Sequence, residues 1–69
     1  MGTNVRRLRK ARGLSQEALA GEAGIAMRHL GRIERGEGNP TVSVLARLAE
    51  VLGVQPTDLY AHEASKGED

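Results

Sequence analysis

Glycines at positions 13, 24, 36, 38 and 53 cut this chain into short segments, and within each segment apolar residues recur at three- and four-residue steps. Segments of that length and period can form only short helices, and none carries the strict alternation that a half-buried strand needs. Several short helices packed on one another is the architecture left. Val5, Leu8 and Arg12 share a helical spacing ahead of Gly13, which predicts a first helix over residues 5–12. Ser15 offers an N-cap hydroxyl, Glu17 lies in the following turn, and Leu19, Ala20 and Ala23 form a stripe that stops at Gly24, so a second helix is expected over 16–23. A third starts near Met27, points Leu30 and Ile33 inward, and ends at Gly36 and Gly38. Asn39-Pro40 is a loop. Thr41 then caps a fourth helix with Val42, Leu45, Leu48, Ala49 and Leu52 on its apolar side, ending at Gly53. Pro56 suits a first helical turn and predicts a short fifth helix over 56–60 that packs Leu59 on the rest. Residues 62–69 are small, polar and charged, and read as a disordered tail behind a single domain spanning 1–61. The expected fold is all-α, a compact bundle of four to five short helices.

The core of such a bundle has to be aliphatic. The 69 residues hold no Cys, Trp or Phe and one Tyr, so neither disulfides nor a cysteine-ligated metal can reinforce it. No cofactor or metal is expected. The polar, basic start is unlike a secretory signal and no run approaches a membrane span, so no membrane partner and a cytoplasmic location are expected. His29 and His62 stand alone, and no carboxylate pair or glycine-rich phosphate loop accompanies them, which argues against an enzyme. No feature indicates a small-molecule ligand.

Charge is distributed unevenly. Up to Gly36 there are eight basic residues (Arg6, Arg7, Arg9, Lys10, Arg12, Arg28, Arg32, Arg35) and three acidic ones (Glu17, Glu22, Glu34), a net +5; the remainder sets Arg47 and Lys66 against six acids, a net −4. This is either an ordinary solvated surface or a basic face for a polyanion with an acidic end held away from it. The third helix bears on the choice. With Met27 at zero on a wheel of about 100° per residue, Leu30 and Ile33 fall near 300° and 240°, whereas Arg35, Arg28 and Arg32 fall near 80°, 100° and 140°. All three arginines of this segment point away from the core, and no acid shares their stripe to relieve the repulsion. Gly31 lies among them at about 40°, although a mid-helix glycine costs roughly 1 kcal/mol relative to alanine. Two explanations stay open: close packing on the first or second helix, or close approach of an outside surface such as a DNA groove; the wheel position favours the second. Gly24, flanked by Ala23 and Ile25, supplies the tight angle of a helix-turn-helix between the second and third segments.

Leu14-Ser15-Gln16, Leu19-Ala20, Gly24-Ile25, Ile33-Glu34-Arg35-Gly36, Asn39-Pro40 and Leu48-Ala49 through Leu52-Gly53-Val54 follow one another at spacings that resemble the Cro/phage-repressor class of helix-turn-helix proteins, also called the xenobiotic-response-element family. The resemblance runs over residues 5–60. It implies a lambda-repressor-like DNA-binding domain whose second helix crosses the phosphate backbone and whose third reads bases, acting as a transcriptional regulator on double-stranded DNA, commonly as a homodimer on near-palindromic sites. Met27, Arg28 and Arg32 match the base-reading positions. Gln16 matches a phosphate-touching position, helped by Ser15 and the free amides at the start of its helix. Arg35, Asn39 and Thr41 suit phosphate, and His29, on the flank near 200°, suits packing or phosphate. An alternative is a protein-interaction module, a coactivator bridge or antitoxin-like partner binder, on the same fold.

Three further expectations concern packing. Arg9 lies on the core-facing side of the first helix and needs a counter-ion; Glu34, near 340° beside Leu30, is the candidate, and the resembled family shows the same pairing. Ala26 stands where that family commonly has a Ser or Thr cap. Val44, Val51, Val54 and Tyr60 exceed what one small core needs and are assigned to a dimer contact.

Overall fold

A computed structural model describes residues 2–59, and among these it forms four helices: α1 (Gly2–Ala11), α2 (Gln16–Ala23), α3 (Met27–Glu34) and α4 (Val42–Leu52). Tyr60 and the tail assigned to 62–69 lie outside the described residues. The starts of α2 and α4 follow from local chemistry. Ser15 Oγ accepts from the Ala18 amide at 3.0 Å, and Thr41 Oγ1 accepts from the Val44 amide at 3.1 Å, each satisfying a donor that the first helical turn leaves free. Gly24 closes α2 at φ 74°, in the left-handed region, and lets the chain turn at once toward α3.

The fifth helix expected over 56–60 starts two residues late, at Asp58, and two other elements differ from the sequence reading. The first helix begins at Gly2 and not at Val5. Its start is fixed by a distant segment: a Cβ on Gly2 would lie 2.8 Å from the Glu34 carbonyl oxygen and 2.9 Å from the Gly36 amide nitrogen, and closer still to the Ile33 carbonyl oxygen. Only glycine lets the first turn of α1 lie directly on the end of α3. The other difference is Val42, which is 80 % exposed although it continues the apolar spacing of α4. As the first residue of that helix it stands one turn beyond Leu45, past the edge of the core.

The core gathers Val5 of α1, Leu19 of α2, Leu30 and Ile33 of α3, Leu45, Leu48 and Leu52 of α4, and Leu59. Helix α2 packs against both α3 and α4, and α1 against α3, so the turn from α2 to α3 is braced on both sides. Burial of each large aliphatic side chain contributes roughly 1.5–3 kcal/mol, which is how an aromatic-poor chain holds a fixed shape. The segment after α4 enters helical conformation only at Asp58 and Leu59: the Asp58 amide donates to the Gln55 carbonyl at 2.9 Å, the Leu59 amide to Pro56 at 3.1 Å, and Asp58 Oδ2 accepts from the Gln55 amide at 2.9 Å.

Two polar ties close the bundle. Buried Asn4 donates from Nδ2 to the Asp58 carbonyl and accepts on Oδ1 from Arg7, linking α1 to the C-terminal segment. Arg12 donates from Nη1 to the Leu52 carbonyl at 3.1 Å, placing a cation on the C-terminal end of α4, where the helix dipole favours it. No helix among the described residues is long and apolar enough to cross a membrane.

Candidate nucleic-acid interface

Helix α3 presents its two halves as expected. Leu30 and Ile33 are buried, while Arg28, Arg32 and Met27 are exposed, Met27 by 52 %. Among the described residues no carboxylate lies within ion-pair distance of Arg28 or Arg32. Both guanidiniums therefore face water on a helix that is fixed from behind, which suits two-point hydrogen bonding to a base edge.

Gly31 is buried, yet a Cβ there would meet nothing of α1 or α2 within 4 Å; the nearest atom is Arg35 Nη1, at 3.3 Å. Tight helix packing does not explain this glycine. The Arg35 side chain folds back over it, and Arg35 itself stands as the C-cap of α3, just past its last turn. Here the expectation that no acid balances the arginines is corrected: Arg35 Nε donates to Glu37 Oε2 at 3.1 Å and Nη2 to Oε1 at 3.4 Å. Glu37 lies in the loop beyond α3, so a helical wheel gives it no place. The hydrogen bond from Arg35, then the Arg35 charge, and more weakly Arg32, hold the Glu37 carboxyl below its ordinary pKa against a small opposing effect of desolvation.

Behind this surface, Arg9 and Glu34 pair as expected. Arg9 Nε donates to Glu34 Oε2 at 2.7 Å and Nη2 to Oε1 at 3.1 Å, with both side chains almost wholly buried, and Arg9 Nη1 also donates to the Leu14 carbonyl at 2.9 Å. Gln16 Nε2 donates to the same Glu34 Oε1 at 3.1 Å, a bond that the sequence did not indicate. The Gln16 side chain is thus turned toward α3, half-buried, at the start of α2. One ion pair ties together α1, the turn after it, the start of α2 and the end of α3.

Gln16, Ser15, Arg6, Gly31 and Arg35 border a polar depression of about 500 Å³ whose lining also includes Arg9 and Glu34. Two exposed arginines, a hydroxyl and a carboxamide thus meet at one concavity where α1, α2 and α3 converge. Ser15 and Thr41 use their oxygens as cap acceptors and keep their O–H groups to donate outward. Asn39 is exposed on the loop ahead of Thr41, and His29 is half-buried on the flank of α3. Among the described residues no group of three or more His, Cys, Asp or Glu could hold a metal ion.

The missing cap of α3 is visible: Ala26 has the extended φ −68°, ψ 142° of an N-cap and makes no side-chain bond to the first turn. Ala26→Ser is expected to raise stability by about 1 kcal/mol by bonding the His29 amide, measured by thermal or denaturant unfolding. A loss of stability would mean that α3 begins elsewhere.

Three of the four residues assigned to a dimer contact are described, and each is only half-buried. Val44, Val51 and Val54 are half-buried and pack against the core, with their outer surfaces exposed; Tyr60 lies outside the described residues.

Residues 5–59 match the helix-turn-helix family named HTH_3. The chain is 42% identical over 59 residues to y4dJ, an uncharacterised HTH-type transcriptional regulator of Sinorhizobium fredii, a stretch that takes in 86% of this chain and 77% of that one. Some other relatives are far longer, and the chain spans only 12% of their length. Among solved structures, the restriction-modification controller protein C.AhdI from Aeromonas hydrophila is similar at 40% identity with a TM-score of 0.82, over 84% of this chain and 88% of that one. The biofilm master regulator SinR, solved in complex with DNA, is similar at 36% identity and a TM-score of 0.80, over 84% of this chain and 94% of that one.

Proposed function

The chain belongs to the HTH_3 helix-turn-helix family, and from that premise we propose that it binds double-stranded DNA sequence-specifically in the cytoplasm and regulates transcription. Helix α3 enters the major groove, where Arg28 and Arg32 each reach a guanine through O6 and N7 and Met27 offers an apolar contact of the kind a thymine methyl accepts. Ser15, Gln16, His29, Arg35, Asn39 and Thr41 take the flanking phosphates, which fix the register of α3 without reading sequence.

The single observation behind this reading is the outward presentation of Arg28 and Arg32, without a carboxylate partner among the described residues, by a helix whose other face is buried. A groove is the surface that such a helix fits, and phosphates supply the missing counter-charge. We further propose that two copies bind together. Val42 is exposed at the start of α4, and Val44, Val51 and Val54 keep partly exposed apolar surface that a second copy would cover, with Tyr60 assigned to the same contact.

Selection of bound sites from a random duplex library tests the whole proposal. The expected result is a pair of inverted half-sites, each containing guanines. A consensus of A·T pairs alone would overturn the arginine assignments, a single unrepeated site would overturn the paired binding, and no enrichment would overturn DNA reading altogether.

A further inference from the structure

The proposed function leaves two features without a role: the Arg35–Glu37 pair and the bed that Gly31 provides for Arg35. Arg35 does not extend freely from the end of α3. Its guanidinium lies back across the helix at Gly31, at the edge of the depression shared with Ser15, Gln16 and Arg6, and both oxygens of Glu37 accept from it. The pair is exposed, at 59 % and 54 % of the two side chains, so a polyanion can reach it. A phosphate that approaches Arg35 meets a site already holding a carboxylate.

We propose that Glu37 is a specificity-determining residue, an intramolecular competitor that keeps Arg35 neutralised on arbitrary duplex and yields it to phosphate only when Arg28 and Arg32 hold α3 in the groove of a cognate site. The inference rests on the DNA-binding reading above and deepens it.

Magnitudes decide between this role and mere bracing. An exposed ion pair holds its partners in place by a factor of up to about five, and often by nothing measurable. Freeing one cation to neutralise one more phosphate adds about 0.9 to the slope of log affinity against log salt, which at ~0.1 M salt is worth roughly eight-fold in affinity. Removing the carboxylate should therefore tighten binding to arbitrary duplex, where bracing alone would loosen it. On a cognate site Arg35 has already exchanged Glu37 for phosphate, so the number of phosphates contacted does not change there.

The test measures the affinity of the wild-type chain and of Glu37→Gln for a random-sequence duplex and for a duplex obtained by selection, across a salt series. Glu37→Gln is expected to bind the random duplex about 2–5-fold more tightly near 0.1 M salt with a slope steeper by up to about 0.9, while the slope on the selected duplex stays as it was and the ratio between the two affinities falls. In an Arg35→Gln background the Glu37→Gln change is expected to lose its effect on the slope. Equal steepening on both duplexes, or steepening that persists without Arg35, would show a general effect of net charge and overturn the proposal, as would no change at all. Failure of the wild-type chain to bind any duplex would overturn the DNA-binding reading and this inference with it; binding that ignores Glu37 would overturn this inference alone.

Discussion

Arg9→Ala is expected to destabilise the domain by about 3 kcal/mol, the low end of the range for breaking a buried pair by removing one partner. The low end applies because Gln16 still donates to Glu34 Oε1 after the arginine is gone. Three bonds from Arg9 disappear together, two to Glu34 and one to the Leu14 carbonyl, and a carboxylate whose side chain is 3 % exposed keeps a single donor. For a domain of this size the melting temperature should fall by roughly 12 °C or more. A double variant separates charge from packing: Arg9→Met with Glu34→Leu removes both charges, keeps much of the volume, and should recover most of the loss. An unchanged melting temperature for Arg9→Ala would refute the pairing, and a double variant no better than the single one would place the damage in packing.

What could be read from the sequence was what local chemistry decides. Helices α2, α3 and α4 were placed by hydroxyl caps at Ser15 and Thr41, by the glycine turn at Gly24 and by the apolar period, all of which act within a turn or so of chain. Arg9 and Glu34 were legible for a different reason: each falls on an inward face, and a charge there must find another. The start of α1 was not legible, because it depends on the backbone of Gly2 meeting the carbonyls of Ile33 and Glu34. Asn4 was hidden in the same way, since its partner is the main chain of Asp58 and no side chain signals the contact. The Glu37 pairing is not legible because helical geometry orders residues only within a helix, and this one meets Arg35 from the loop beyond. Where the determinant was local or demanded by burial the residues disclosed it, and where it was a backbone contact between distant segments they did not.

Of the contacts that hold the arginine surface rigid, those of Gly2 and Gln16 are not legible in the sequence, whereas the Arg9–Glu34 pair is. Gly2 seats α1 on the end of α3, and Arg9 and Gln16 both bond Glu34 from α1 and α2, so the helix that presents Arg28 and Arg32 is fixed at its C-terminal end by three contacts, two of them sharing one carboxylate. A side chain held this way loses less freedom on meeting a base than one on a frayed helix, and affinity rises by the disorder that need not be removed. Fold and function meet at this point: a core of aliphatic residues alone is enough because polar ties at its rim set the orientation of α3.

Replacing Arg28 and Arg32 separates base reading from simple charge, because alanine and lysine remove different things. If each arginine donates two bonds to a guanine, Arg28→Ala and Arg32→Ala should each cost about 1–3 kcal/mol of preference for the selected duplex over one altered at that base. Lysine keeps the charge and loses the planar fork, so Arg28→Lys and Arg32→Lys should forfeit most of that preference while the salt dependence on random duplex stays near that of the parent. Stability should hold within about 0.5 kcal/mol in all four variants, since both side chains are exposed and make no bond to another described side chain. A uniform loss on every sequence, restored by lysine and accompanied by a shallower salt slope for alanine, would move these arginines from base edges to phosphates. The same experiment on Arg35 should give that phosphate pattern, a loss shared by all cognate variants and no preference for any base, so the three arginines of one stripe are expected to divide into two readers and one anchor.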